Sequence, residues 1–127
     1  MSVSNITIIK AFNKTLLKFI EELEVKYPEE TDISVYKNSI LLLDKTNAKL
    51  VPYYYKIYVY IYKQYIDDKN ENFFLDNDFK EQTGGSEWCF VRAMRLKNYW
   101  KDLSDKSKDV VWEYFSTLNK LVENIEY

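Results

Sequence analysis

Two glycines and two prolines punctuate a chain of 127 residues. β-Sandwiches and barrels turn about every 8–12 residues and place glycine or proline at those turns. So few of either reads as long helices with few connections. The apolar residues agree. Ile6, Ile9, Phe12, Leu16, Phe19 and Leu23 recur at helical spacing after a capping Ser4 or Asn5, and Pro28 stops the pattern after Tyr27. A second cap at Thr31 or Asp32 opens a helix through Ile33, Tyr36, Ile40 and Leu43 that fades near Asn47.

Pro52 suits the first turn of a third helix. Here composition becomes unusual: of the thirteen residues from Tyr53 to Tyr65, seven are tyrosine. Tyr54, Ile57, Tyr58, Ile61 and Tyr65 share one helical face. The alternation Tyr58-Val59-Tyr60-Ile61-Tyr62 also has high strand propensity. Helix is favoured, because no partner strand is visible and a lone strand leaves its backbone unpaired.

Residues 67 to 81, DDKNENFFLDNDFKE, carry six acids and two lysines. They read as a turn followed by a short helix or turn presenting Phe73, Phe74 and Phe79. Thr83-Gly84-Gly85-Ser86 is the clear flexible break. Beyond it, Cys89, Ala93, Leu96, Trp100 and Leu103 form one stripe. Ser104 or Ser107 opens a last helix carrying Val111, Phe115, Leu118, Val122 and Ile125. These two segments are expected to pair as a helical hairpin against the first helix. The expected fold is all-α, a single-domain bundle of about five helices over residues 1–127.

The absence of histidine removes the Ser-His-Asp and Cys-His pairs and the histidine general base. A single cysteine builds neither an internal disulfide nor a cysteine zinc site. Asp68, Asn70 and Asn72 match the first positions of a calcium loop, but Phe73 stands where glycine is required and Phe79 where a bidentate glutamate is required. Neither GxxxxGK[ST] nor GxGxxG occurs, so Gly84-Gly85 reads as a hinge. No catalytic residue, metal or cofactor is expected, and the chain is read as not an enzyme.

Net charge is −2, which does not suggest a nucleic-acid coat or a membrane-surface binder. The opening MSVSNITIIKAFNK lacks a signal peptide's early charge and unbroken apolar core, and no apolar run approaches the ~18 residues of a membrane span. The expected location is the cytoplasm, with no membrane partner.

Three readings of the tyrosine run stand together: core packing with solvent-facing hydroxyls, a protein interface, or stacking on bases or sugars. Abundant lysine, isoleucine, asparagine and tyrosine also fit an AT-rich coding bias. A helix aromatic on several faces can give one to the core and leave another for a partner. The expected partner-binding residues are Tyr53, Tyr55, Tyr60 and Tyr62, with Trp88 and Phe90 beside them. They would serve a protein partner or self-association. The alternative is nucleic acid, bound through the basic patch Arg92, Arg95, Lys97 and Lys101.

The order FNKTLLKFIEELEVKYPE, NAKLVPYYYKIY, DDKNENFFLD, YWKDLSDKSKDVVWEYFSTL resembles a loose group of short helical proteins from large cytoplasmic DNA viruses of the mimivirus, iridovirus and phycodnavirus kind. The likeness covers nearly the whole chain through short hydrophobic motifs. It departs at Asn47-Ala48, where that group's pattern has Asn-Pro. The resemblance implies a small helical virion or infection protein, in host cytoplasm or particle, and supplies no catalytic residue.

Overall fold

The computed structural model describes residues 4–76 and 97–126. The chain is all-α, with six helices of described bounds and no strand among the described residues. They are α1 (Asn5–Lys26), α2 (Thr31–Thr46), α3 (Leu50–Tyr58), α4 (Lys63–Asp67), α5 (Glu71–Asp76) and α6 (Asp105–Glu123), with a 3₁₀ turn at Tyr60–Tyr62. Residues 97–102 are also helical. Two compact units emerge: residues 1–61 with 114–127, and residues 62–113.

In the first unit, α1 ends at Lys26, with Tyr27 as its C-cap one residue ahead of Pro28. Proline disfavours the helical conformation of the residue before it, which explains the stop. Ser4 occupies the N-cap position without a side-chain bond. The Asn5 side chain instead pairs with the far end of the chain: its Nδ2 donates to the Glu126 carbonyl at 2.9 Å, and the Glu126 amide donates to its Oδ1 at 2.8 Å. The buried stripe of α1 is Ile9, Phe12, Asn13 and Ile20. Ile6, expected on that stripe, is 64% exposed, so the stripe starts one turn later.

α2 is followed at once by the turn into α3, so Asn47 caps one helix and nearly starts the next. Asn13 secures this corner. Its Nδ2 donates to Asp44 Oδ1 at 2.8 Å and to the Ala48 carbonyl at 3.1 Å. One buried residue of α1 thus holds the end of α2 and the turn beyond it. Tyr36, expected on the buried face of α2, is 52% exposed. The core joins Ile9 and Phe12 of α1, Val51 and Tyr55 of α3, and Leu118 and Val122 of α6 with Ile125 beyond it. The Leu118, Val122, Ile125 spacing expected of the last helix is therefore the one it buries.

The third helix was expected to reach Tyr65 and is shorter. It stops at Tyr58, and a 3₁₀ turn replaces the next α-turn. β-Branched and aromatic residues lose χ1 freedom in a helix, and six of them run together from Ile57 to Tyr62. The excess over five helices arises from this break and the short helices after it.

In the second unit, α4 passes through Lys69, which has a positive φ of 51°, into α5. Asn70 Oδ1 accepts from the Phe73 amide at 3.1 Å, an Asx cap on α5. Ser104 Oγ likewise accepts from the Ser107 amide at 3.1 Å, so Ser104 is the cap of α6. The first arm of the expected hairpin, with Cys89, Ala93 and Leu96, lies outside the described residues, as do Phe79 and the Gly84-Gly85 break.

Candidate interaction surface

α3 packs through Val51, Pro52 and Tyr55. Tyr55 is 7% exposed. Its ring meets Phe12 edge-on at 5.1 Å, and its hydroxyl donates to Asn119 Oδ1 at 2.7 Å. Burial pushes its phenol well above the ordinary 10.0. Tyr55 was expected on the partner surface; it is a core residue instead. The hydroxyl finds a buried amide on α6, so the ring enters the core without stranding a polar group.

With Tyr55 turned inward, the opposite side of α3 faces solvent. Tyr53, Tyr54, Ile57, Tyr58 and Ile61 are 40–61% exposed. Tyr54, Ile57 and Tyr58 stand at i, i+3 and i+4 of α3 and form a stripe, and Ile61 follows in the 3₁₀ turn. Tyr54 stacks on Tyr58 at 6.4 Å, and Tyr53 meets Tyr54 edge-on at 5.8 Å. The rings hold one another, so less freedom is lost when a partner covers them. Lys56 is the charged residue of the helix, and it too is exposed.

The remaining expected site residues separate. Tyr53 lies on the exposed stripe. Tyr60 is half-buried, and its hydroxyl donates to Glu123 at 2.9 Å. Tyr62 belongs to the other unit, where its ring lies 5.8 Å from Phe73 and 6.0 Å from Phe74. Trp88 and Phe90 lie outside the described residues, as do Arg92 and Arg95 of the basic alternative. Lys97 and Lys101 fall in the helical stretch 97–102.

The second unit is aromatic in its own right. Tyr65 stacks on Phe73 with planes 3° apart, Phe74 approaches Trp112 at 6.2 Å, and Trp100 meets Trp112 edge-on at 5.2 Å. Lys108 Nζ lies 5.5 Å over the Trp100 ring and 3.3 Å from Glu71 Oε1, which also accepts from Trp100 Nε1 at 3.4 Å. Glu71, one of the six acids of the 67–81 stretch, thus has two internal donors. Phe73 and Phe74 pack half-buried rings among aromatic neighbours.

Among the described residues no group of three or more His, Cys, Asp or Glu is placed to hold a metal ion. No described helix is long and apolar enough to cross a membrane. No protein-family model, curated protein or solved structure matches the chain.

Proposed function

We propose that this chain is a non-enzymatic helical interaction protein that binds a protein partner through the outward face of α3. One observation carries the reading: Tyr53, Tyr54, Ile57 and Tyr58 stand exposed together on a helix whose opposite side is fixed in the core, with Ile61 exposed in the 3₁₀ turn just after it. Isolated exposed apolar residues are ordinary, whereas a contiguous aromatic stripe marks a surface that gains by being covered. Tyrosine supplies large contact area with two side-chain torsions to freeze and a hydroxyl for orientation. The partner this face suits is apolar, with acceptors at its rim for the tyrosine hydroxyls. The resemblance to proteins of large DNA viruses extends the proposal to a virion or infection role.

The test is affinity capture of the tagged full chain from cells that produce it, with mass spectrometry before and after nuclease treatment. The Tyr54→Ser, Tyr58→Ser, Ile61→Ser triple variant serves as the comparison. A nuclease-resistant partner lost in the variant supports the reading. The same partners retained by the variant would sink it. Partners lost to nuclease alone would move nucleic acid to first place.

A further inference from the structure

A surface helix turns apolar residues inward and charges outward. α2 follows this with Ile33 buried and Ile40 and Leu43 packed against the core, but it departs from it on both sides. Two charged residues also turn toward α1: Lys37 Nζ lies 2.7 Å from Glu24 Oε1, and Asp44, in the last turn, accepts from the buried Asn13. Ser34 Oγ adds a 2.8 Å bond to Glu24 Oε2. The opposite side carries Val35 and Leu42, 58% and 63% exposed, with exposed Asn38, Ser39 and Thr46 along the same stripe. The middle of that stripe carries no charge; Asp32 and Lys45 stand at its two ends.

The hydroxyls on the stripe are already satisfied. Ser39 donates to the Val35 carbonyl at 3.0 Å, and Thr46 donates to the Leu42 carbonyl at 2.8 Å. A face whose hydroxyl donors are bonded within its own helix can be dehydrated without stranding them. The stripe is therefore suited to burial, although it is uncovered in the monomer.

Its pattern also suggests what covers it. Val35, Asn38, Ser39 and Leu42 read the same way in either direction: apolar, polar, polar, apolar, at spacings of 3, 1 and 3. Two copies of α2 laid antiparallel about a two-fold axis between Asn38 and Ser39 set Val35 of each against Leu42 of the other. The small Ser39 at the crossing lets the backbones approach. The Asn38 amide has both donor and acceptor, so it can pair with its own counterpart. An isologous interface brings each near-axis residue to its own copy, where a charge would repel itself, and here there is none.

We infer that the outward face of α2 is a self-association surface that forms an antiparallel α2–α2 contact between two copies of this chain. The inference does not rest on the partner-binding role of α3. Four turns of one helix make a small contact, and interfaces below about 1,200 Å² in total are weak and transient. The expected dimer is concentration-dependent, with dissociation in roughly the 10–500 μM range.

Sedimentation velocity of the full chain over that range tests it. A shift from monomer to dimer is expected, and a monomer throughout would overturn the inference. Leu42→Lys and Val35→Lys should each weaken the dimer at least about tenfold. Both sites are exposed, so helix content by circular dichroism should not change. Val35→Lys combined with Leu42→Glu should restore the dimer, because the antiparallel register sets the new charges against their opposites. Val35→Lys combined with Leu42→Lys should not. A dimer indifferent to all four variants would place the contact elsewhere and reject this one. The Tyr54→Ser, Tyr58→Ser, Ile61→Ser variant should dimerise normally, which separates failure here from failure of the α3 proposal.

Discussion

The Tyr55 hydroxyl donates a 2.7 Å hydrogen bond to Asn119 Oδ1, joining residues 64 positions apart, both with buried side chains. This bond fixes which side of the tyrosine helix faces the core and so which side faces solvent. Tyr55→Phe keeps the ring but leaves the Asn119 carbonyl buried without its donor. The expected cost is about 1–3 kcal/mol of unfolding free energy, read from urea denaturation. An unchanged midpoint would show that the bond does not orient the helix energetically. In a double-mutant cycle with Asn119→Leu, the two losses should be non-additive.

Phe12 is fully buried and touches Tyr55 edge-on. Phe12→Ala should cost about 3–5 kcal/mol, since the cavity sits where α1 and α3 meet. Exposed Tyr58→Ala should change stability by less than about 0.5 kcal/mol. Equal losses at the two positions would contradict the assigned faces of α3.

Stability should fall in alkali. Burial raises the Tyr55 phenol, and burial together with a hydrogen bond and charge from Glu22 pushes Tyr114 up to about 12 from 10.0. A raised folded pKa contributes stability that is complete below the unfolded value. That stability is lost as pH rises through the folded value. Unfolding free energy should therefore decline from pH 10 upward, and the last tyrosinate absorbance should appear together with loss of helix. Independent titration of all twelve tyrosines while the chain remains helical would refute this.

At acid pH the Lys37–Glu24 pair sets the sign. The hydrogen bond from Lys37, then that from Ser34, holds the Glu24 carboxyl below its ordinary 4.5. A depressed folded pKa contributes stability present above the unfolded value and lost as pH falls through the folded one. Glu24→Gln should reduce the acid sensitivity below pH 4.5 and leave the alkaline limb unchanged. The pair is solvent-accessible, so salt should weaken its effect.

Asn5 and Glu126 join the ends of the described chain by two reciprocal hydrogen bonds. Asn5→Ala should speed amide exchange at Ile125 and Glu126 well above its effect on Leu118, with a stability loss of about 0.5–1.5 kcal/mol. Uniform acceleration across α6 would show instead that the ends open only with the whole bundle.

Much of the architecture was legible in local pattern. Scarce glycine and proline, the stop before Pro28, the cap at Ser104 and the Leu118, Val122, Ile125 spacing depend on neighbours within a turn or two, and each is found where the sequence places it. The sides of α2 and α3 were not legible. Tyrosine on every side of α3 leaves no hydrophobic difference to read, so its face was chosen by Phe12 and Asn119, residues far along the chain. Nothing local to Lys37 and Asp44 tells that Glu24 and Asn13 stand opposite them. The helical character of the chain, and the places where most helices begin and end, follow from signals that are local in sequence. Which aromatic residues are core and which are surface was settled by long-range packing, because a polar group enters the interior only where a distant residue completes its hydrogen bond.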